Sequence, residues 1–556
     1  MFERILGKVA KVCWLIPGFL LWAAFPPMAE KADALFALAP LIWLSRGGDS
    51  RLSARRWFLN GLVFWVATLS WMPAIVSNGG PWPLVALGWF ALAAYCALYF
   101  GAYGYLSARF WRWAQGRSYG WRLFGLVVAE PVLWAGFELL RSRLFGGFSW
   151  NHLGVPLVNA GFGAPARIGG VYLCSAVALM INGTIASIAE RMLLPLVKFR
   201  RERRLLRLDE CEVEIRDGED AEPEGSVELP PWARSIETFL PFALVFALYS
   251  LSERPAAAPD AERHLSAALV QRNFPCVFSQ QPRDESPAEA YESLLANISL
   301  LRPDVVVLPE SAFAEVGPLD SPGAARFAGW LRSKANARAV LAGGSRRDAG
   351  GRNYNSAALY GESRMQTYDK VHLVPFGEYI PFDKTITALQ KLAPVGSCTP
   401  GELRTLDLGG VKVGVAICFE DTDSAQMREL AAMGAEVFAF ITNDSWFSDS
   451  CEAEQHCWQS VARAVETGLP VLRAGNSGVT GVIRPDGERT FLVDSSGRPL
   501  VDERGAMFER VAPARASTFY VKAGDAPLAS IFSLLILGMI LIQYKAHHEK
   551  RRTLSV

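Results

Sequence analysis

VKVGVAICFED, residues 411–421, sets β-branched Val411, Val413 and Val415 at alternate positions and then breaks off at Cys418, followed by two acids. Alternation of this kind reads as a half-buried or buried strand, so the thiol is delivered at a strand end. Two more stretches repeat the arrangement. VVVLPES (305–311) ends an apolar run with Glu310, and TYDKVHLVPFGEYIPF (367–382) carries Lys370 just past its strand-like start. A carboxylate, an ammonium and a thiol presented in this way are a base, an electrostatic clamp and a nucleophile, the equipment for making and breaking an acyl-thioester.

Working outward, residues 264–522 alternate strands with amphipathic helices. LSAALVQ is followed by a helix near 287–301, DVVVLPE by a helix near 323–335, and AVLAGGS by strands near 354–360 and 364–370. VKVGVAIC then leads to a helix near 424–433, VFAFITND to a long helix over 453–467, and PVLRAGN and GVTGVIRP follow. The pattern predicts a sheet-containing α/β domain covered by helices, with reactive groups at strand ends. Hairpin-like strands in its middle argue against a simple doubly wound sheet.

The rest of the chain has another character. Over 556 residues the composition is 51% hydrophobic and the mean hydropathy is +0.17, too apolar for an ordinary soluble protein. A spanning helix needs about 20 apolar residues. Eight candidates are Val12–Met28, Ala32–Leu44, Phe58–Val76, Leu84–Leu106, Leu123–Leu140, Ile168–Leu194, Ile236–Leu251 and Ala526–Tyr544. The basic start MFERILGKVAKV resembles a signal peptide but lacks a clear cleavage site, and further spans follow at once; it reads as an uncleaved first helix.

Lysine and arginine in short connections stay on the cytoplasmic side. Arg4, Lys8 and Lys11 precede the first candidate; Arg46, Arg51, Arg55 and Arg56 follow the second; Arg109, Arg112, Arg117 and Arg122 follow the fourth; Lys198 to Arg207 follow the sixth; Lys545, Lys550, Arg551 and Arg552 follow the last. SNGGPWP (77–83) has neither residue type. The alternation predicts both termini in the cytoplasm and 252–525 on the opposite face. The expected organisation is a membrane domain over 1–251 with about seven helices, a linker SERPAAAPDAER over 252–263, a catalytic domain over 264–522, a C-terminal membrane helix over 526–544 and a tail over 545–556. An acidic loop within 199–233, DECEVEIRDGEDAEPEGSVELPP, reads as a disordered connection.

A formal net charge of +1 gives no case for nucleic-acid binding. Nine cysteines without a CxxC pair exclude the usual zinc spacing, and neither metal nor organic cofactor is expected. Cys451 and Cys457 are close enough for a local bridge in an oxidising compartment, or remain free thiols.

Glu310, Lys370 and Cys418, in that order and within LPES, YDKVHLVPFGEY and ICFED, resemble the catalytic segments of the nitrilase, or carbon-nitrogen hydrolase, superfamily. Joined to a multi-span membrane domain, they are similar to the apolipoprotein N-acyltransferase family. The segments FELLRSRLFGGFSWNHLG (137–154), RIGGVYLCSAVALMING (167–183), TNDSWFSDS (442–450), QHCWQSVARAVETGLPVLRAGNSGVTGVIRPDG (455–487) and FYVKAGDAPL (519–528) extend that likeness.

The resemblance implies an αββα sandwich for 264–522 and a bacterial inner membrane location with the sandwich on the periplasmic side. It implies transfer of the sn-1 acyl chain of a phospholipid onto the N-terminal amine of a diacylglyceryl-cysteine lipoprotein. Glu378 and Glu420 match family acids that support the site by orienting Lys370 and its loop. Phe419 stands where the family commonly has Tyr, and NFPCVFSQQP (273–282) lacks the Trp common near that position. Two other readings carry the same motifs: a membrane-tethered amidase, and a scaffold with an inactive nitrilase-like domain.

Other residues invite attention. His372, two residues past Lys370, invites a cysteine–histidine dyad. Glu130, next to Pro131 inside a candidate span, is costly in lipid and hints at function or a buried partner. Trp446 and Phe447 read as either an apolar lip or core. The Asn182-Gly-Thr184 sequon lies within a span and is discounted.

Overall fold

The computed structural model of the chain describes residues 13–208, 230–252, 263–275, 285–362, 364–381 and 398–554. Most of the acidic loop and of the linker lies outside these residues, as do Phe382 and the basic residues at the extreme N-terminus.

Among the described residues six stretches are long and apolar enough to cross a membrane: Ser50–Asn78, Trp82–Ala114, Tyr119–Arg141, Ala166–Met192, Pro231–Ser252 and Ala526–Lys545. They correspond to six of the eight expected spans. The other two are interrupted. Val12–Met28 contains an eight-residue helix, Ile16–Ala23, and Ala32–Leu44 divides into a 3-10 turn, Lys31–Leu35, and a helix, Ala39–Arg46. Pro26-Pro27 and Pro40 lack the N–H that a continuing helix needs, and Glu30, Lys31 and Asp33 add charge between the pieces.

Backbone groups freed by these breaks need partners away from water. Asn60 supplies two, accepting from Gly18 N at 2.9 Å and donating to Trp14 O at 3.0 Å. Asn182, the sequon asparagine, is fully buried; it accepts from Leu38 N and donates to Ala34 O, both at 2.8 Å. The Ala166–Leu208 helix continues through the basic run after its span, and the last helix, Ala526–Leu554, runs through the segment read as a tail.

The globular half is two six-stranded sheets. One has the order β12 (Gly505–Val511), β1 (Leu265–Gln271), β2 (Val305–Val307), β3 (Ala339–Arg347), β4 (Asn353–Tyr360) and β5 (Met365–Asp369). The other runs β11 (Arg489–Phe491), β10 (Gly481–Ile483), β9 (Val471–Gly475), β8 (Val437–Thr442), β7 (Val411–Ile417) and β6 (Thr405–Leu408). Three strands, the short β6 and β11 and the seven-residue β12, are additions to those expected from the sequence.

Period-two alternation sorts the side chains. Leu269, Val307, Leu341 and Leu359 meet Val413, Val415, Ala439 and Leu472 between the sheets. Val306, Val340 and Ala358 face the outer helices Pro287–Leu295 and Pro322–Ala335. Ala416, Phe438 and Phe440 face Ser424–Ala432 and Glu452–Thr467. This is the αββα sandwich.

The Glu452–Thr467 helix is buried apart from Glu454, although Gln455, His456, Gln459, Ser460, Arg463 and Glu466 are polar. It is held between the second sheet and the bundle, where Trp150 Nε1 donates to Gln455 Oε1 at 2.9 Å and Val171 N to Glu466 Oε1 at 2.6 Å. Asn78 donates to Trp446 O at 3.0 Å, and Arg489 donates to Asn159 Oδ1 at 2.8 Å. The sandwich is therefore seated on the helix ends around 78 and 142–171.

Candidate active site

Three strand ends converge. Glu310 follows β2, where Pro309 ends the ladder. Gly343 of β3 lets that turn pass: a Cβ there would lie 2.6 Å from the Glu310 Cα. Lys370 follows β5, and its N donates to Asn355 O of β4 at 2.8 Å. Cys418 follows β7 at a φ of +53°, a strained left-handed conformation for a non-glycine residue that recurs at functional turns. It opens a 3-10 turn, Cys418–Thr422.

Lys370 Nζ lies 3.0 Å from Glu378 Oε1 and 3.7 Å from Glu310 Oε1. Asn355 Nδ2 donates to Glu310 Oε1 at 2.7 Å and to Glu378 Oε1 at 2.6 Å. Glu378 Oε2 accepts from Val374 N at 2.8 Å. Glu420, fully buried, accepts at Oε1 from Tyr368 OH (2.9 Å), Val371 N (2.7 Å) and His372 N (3.1 Å). Its Oε2 accepts from Ile417 N at 2.8 Å. Glu378 thus pairs with the lysine, while Glu420 ties the lysine's loop to the base of the cysteine turn.

These surroundings set the charges. Burial pushes the Glu310 carboxyl above its ordinary range; Lys370 works against that and Glu378 adds to it. Burial would also raise Glu378, yet Lys370 and the Val374 N–H hold it low. Lys370 resists its own desolvation through Glu378 and Glu310 and is held well above its ordinary value. Burial, then Glu310, pushes the Cys418 thiol far up, with Lys370 opposing. The balance favours the thiol form of the sulfur over the thiolate.

Phe419 closes the site from the bundle side. Its ring stacks on Trp150 and Phe148, with centroids 6.4 and 6.0 Å away. His372 meets Phe419 edge-on, and its Nδ1 lies 3.7 Å from Asp423 Oδ2 rather than at the lysine. Phe447 packs edge-on against Trp71 of the bundle, which favours the core reading over a lip. Cys451 and Cys457 are free. Glu130 has buried partners, Arg46 at 3.4 Å and Ser107 Oγ at 2.9 Å.

Sequence reasoning missed two features. One is Asn355, which with Ser356 precedes the apolar AALY end of β4. The other is a buried network behind the cysteine turn. His456 lies between Asp421 (Nε2, 2.9 Å) and Asp444 (Nδ1, 3.0 Å), and Arg473 reaches Asp421 Oδ2 at 2.6 Å. Asp444, Glu452 and His456 bring ligand-type atoms within 4.8 Å of one another, but His456 and Arg473 already supply cations to these carboxylates.

The comparisons with known proteins agree with this architecture. Residues 268–505 match the carbon-nitrogen hydrolase family, the class to which the sandwich and its strand-end residues point. Residues 17–184 match the apolipoprotein N-acyltransferase N-terminal domain. The apolipoprotein N-acyltransferase of Geobacter metallireducens is 28% identical over 554 residues, 96% of each chain. That of Photobacterium profundum is 25% identical over 569 residues, 98% of each. Among solved structures, a Nesterenkonia AN1 amidase of the nitrilase superfamily is 18% identical, with 49% of this chain and 98% of that one covered and a TM-score of 0.35. With both halves matched and relatives aligned end to end, the chain belongs to the apolipoprotein N-acyltransferase family.

Proposed function

We propose that this chain moves the sn-1 acyl chain of a phospholipid, through a thioester on Cys418, onto the N-terminal amine of a diacylglyceryl-cysteine lipoprotein. The observation that carries the reading is the meeting of Glu310, Lys370 and the Cys418 turn against aromatic side chains of a membrane bundle.

In the first half-reaction Glu310 takes the thiol proton as sulfur attacks the ester carbonyl, since thiolate is the nucleophile. Burial favours the thiol, so proton transfer and attack are taken together with substrate in place. Lys370 and the Phe419 N–H stabilise the oxyanion. Glu310 returns the proton to the departing lysophospholipid alkoxide, leaving an acyl-thioester. In the second half the neutral amine attacks that thioester, Glu310 receives a proton from the nitrogen, and the Cys418 thiol is regenerated as the amide forms. The order is ping-pong.

The orientation follows from charge. The interrupted segments are adjacent, so removing both from the count of spans leaves every later connection on its expected side. The helix ends that carry the sandwich, around 78 and 142–171, are those placed outside, and the arginines at 51, 55, 56, 109, 112, 117 and 122 gather at the other ends. This reading puts the catalytic domain over 264–522 in the periplasm of the bacterial inner membrane, with both termini cytoplasmic.

The test uses phospholipid carrying a labelled sn-1 chain. Hydroxylamine-sensitive label is expected on Cys418, absent in Cys418→Ala, and is chased onto a diacylated lipopeptide. Label that goes to water and never to the peptide would replace the transferase with an amidase-like reading.

A further inference from the structure

Asn355 stands at the junction of three strands. On β4 it pairs with Ser345 of β3 and holds the backbone of Lys370 just past β5. Its side-chain amide has two hydrogens, and each goes to a different carboxylate. The Glu310 carboxylate is 45 residues away in sequence and that of Glu378 is 23. Two like charges would separate if left alone; here they share one amide and one ammonium. Both the Asn355 and the Lys370 contacts fall on Oε1 of Glu310, which leaves Oε2 as the oxygen for an incoming proton.

We infer that Asn355 is a positioning residue for acyl transfer: its amide holds Glu310 and Glu378 about the Lys370 ammonium and so fixes Glu310 as the acceptor of the Cys418 proton. The inference rests on the thioester reading above. A neutral amide serves where a charged donor would not. A second cation would draw Glu310 into an ion pair and blunt it as a base, and an acid would add a third negative charge around one lysine. A hydrogen bond to the charged form favours that form, so the amide works against the burial that pushes the Glu310 carboxyl up. The proton leaves Cys418 Sγ for Glu310, and the sulfur electron pair goes to the carbonyl carbon.

The test needs a readout that packing alone does not move. Full-length protein in phospholipid-free detergent is treated with iodoacetamide across a pH series, and alkylation at Cys418 is followed by peptide mass spectrometry. Asn355→Ala is expected to shift the midpoint of the rise in rate upward by about one pH unit, the size of one lost hydrogen bond to a charged group. Asn355→Asp, nearly isosteric and so a control for folding, is expected to shift it further. Lower yield or a uniformly lower rate with an unmoved midpoint in both variants would overturn the inference. Parent protein that alkylates normally but forms no thioester from phospholipid would overturn the transferase reading instead, and the alkylation profile would still decide the role of Asn355.

Discussion

Phe419 stacks on Trp150, their ring planes 11° apart, although one belongs to the cysteine turn and the other to the membrane bundle. The contact joins the position of the thiol to the seating of the sandwich. Aromatic pairs contribute about 0.5–1.5 kcal/mol beyond the area they bury. Trp150→Ala is therefore expected to slow thioester formation by about ten-fold and to lower the melting temperature. Phe419→Tyr keeps the ring and is expected to stay within about two-fold of the parent, as measured by labelled-phospholipid capture.

Removing the lysine's charge should separate stabilisation of the oxyanion from folding. Lys370→Met leaves Glu310 and Glu378 beside each other without the ammonium now 3.7 and 3.0 Å away. Loss of one preorganised stabiliser of an oxyanion costs on the order of 10²–10³ in rate. Lys370→Met is expected to lose at least that much single-turnover thioester formation while the protein remains extractable and folded.

His456 should make stability sensitive to alkali. Burial lowers its affinity for protons, but Asp421 and then Asp444 overcome this and push its pKa up to about 10 from an ordinary 6.5. A group raised on folding contributes stability that is fully present below the unfolded value and is lost as pH rises through the folded one. The melting temperature is expected to fall between about pH 6.5 and 10 in the parent. His456→Gln is expected to melt lower throughout and to lose that slope.

The charge pair inside the bundle gives a fourth expectation. Glu130 and Arg46 are both buried and 3.4 Å apart. Breaking a buried pair by removing one partner costs about 3–5 kcal/mol, whereas replacing both is far milder. Glu130→Leu is expected to destabilise more than the double variant Arg46→Met with Glu130→Leu. A double-mutant cycle on thermal unfolding in detergent measures the difference.

Much of the fold was legible because its signals are local. VVV before Glu310 and VKVGVAI before Cys418 specify strands through alternation and β-branching, and their reactive ends are fixed by chain continuity. The expectation of eight spans exceeds the six long helices among the described residues because hydropathy averages over Pro26-Pro27, Glu30 and Asp33, whereas a helix stops at them. The helix over 452–467 misleads in the opposite direction. Its polar residues suggest a solvated face, yet all but Glu454 are covered.

The sequence by itself determined the two kinds of domain, the three reactive residues and the strand ends that bear them. These follow from the period and length of apolar runs, which neighbouring residues set. Only the tertiary structure decided that Asn355 holds two distant carboxylates, that Asn60 and Asn182 satisfy broken helices, and that Phe419 rests on Trp150. Burying a polar group is tolerable only when another group satisfies it, and those partners come from elements far away along the chain.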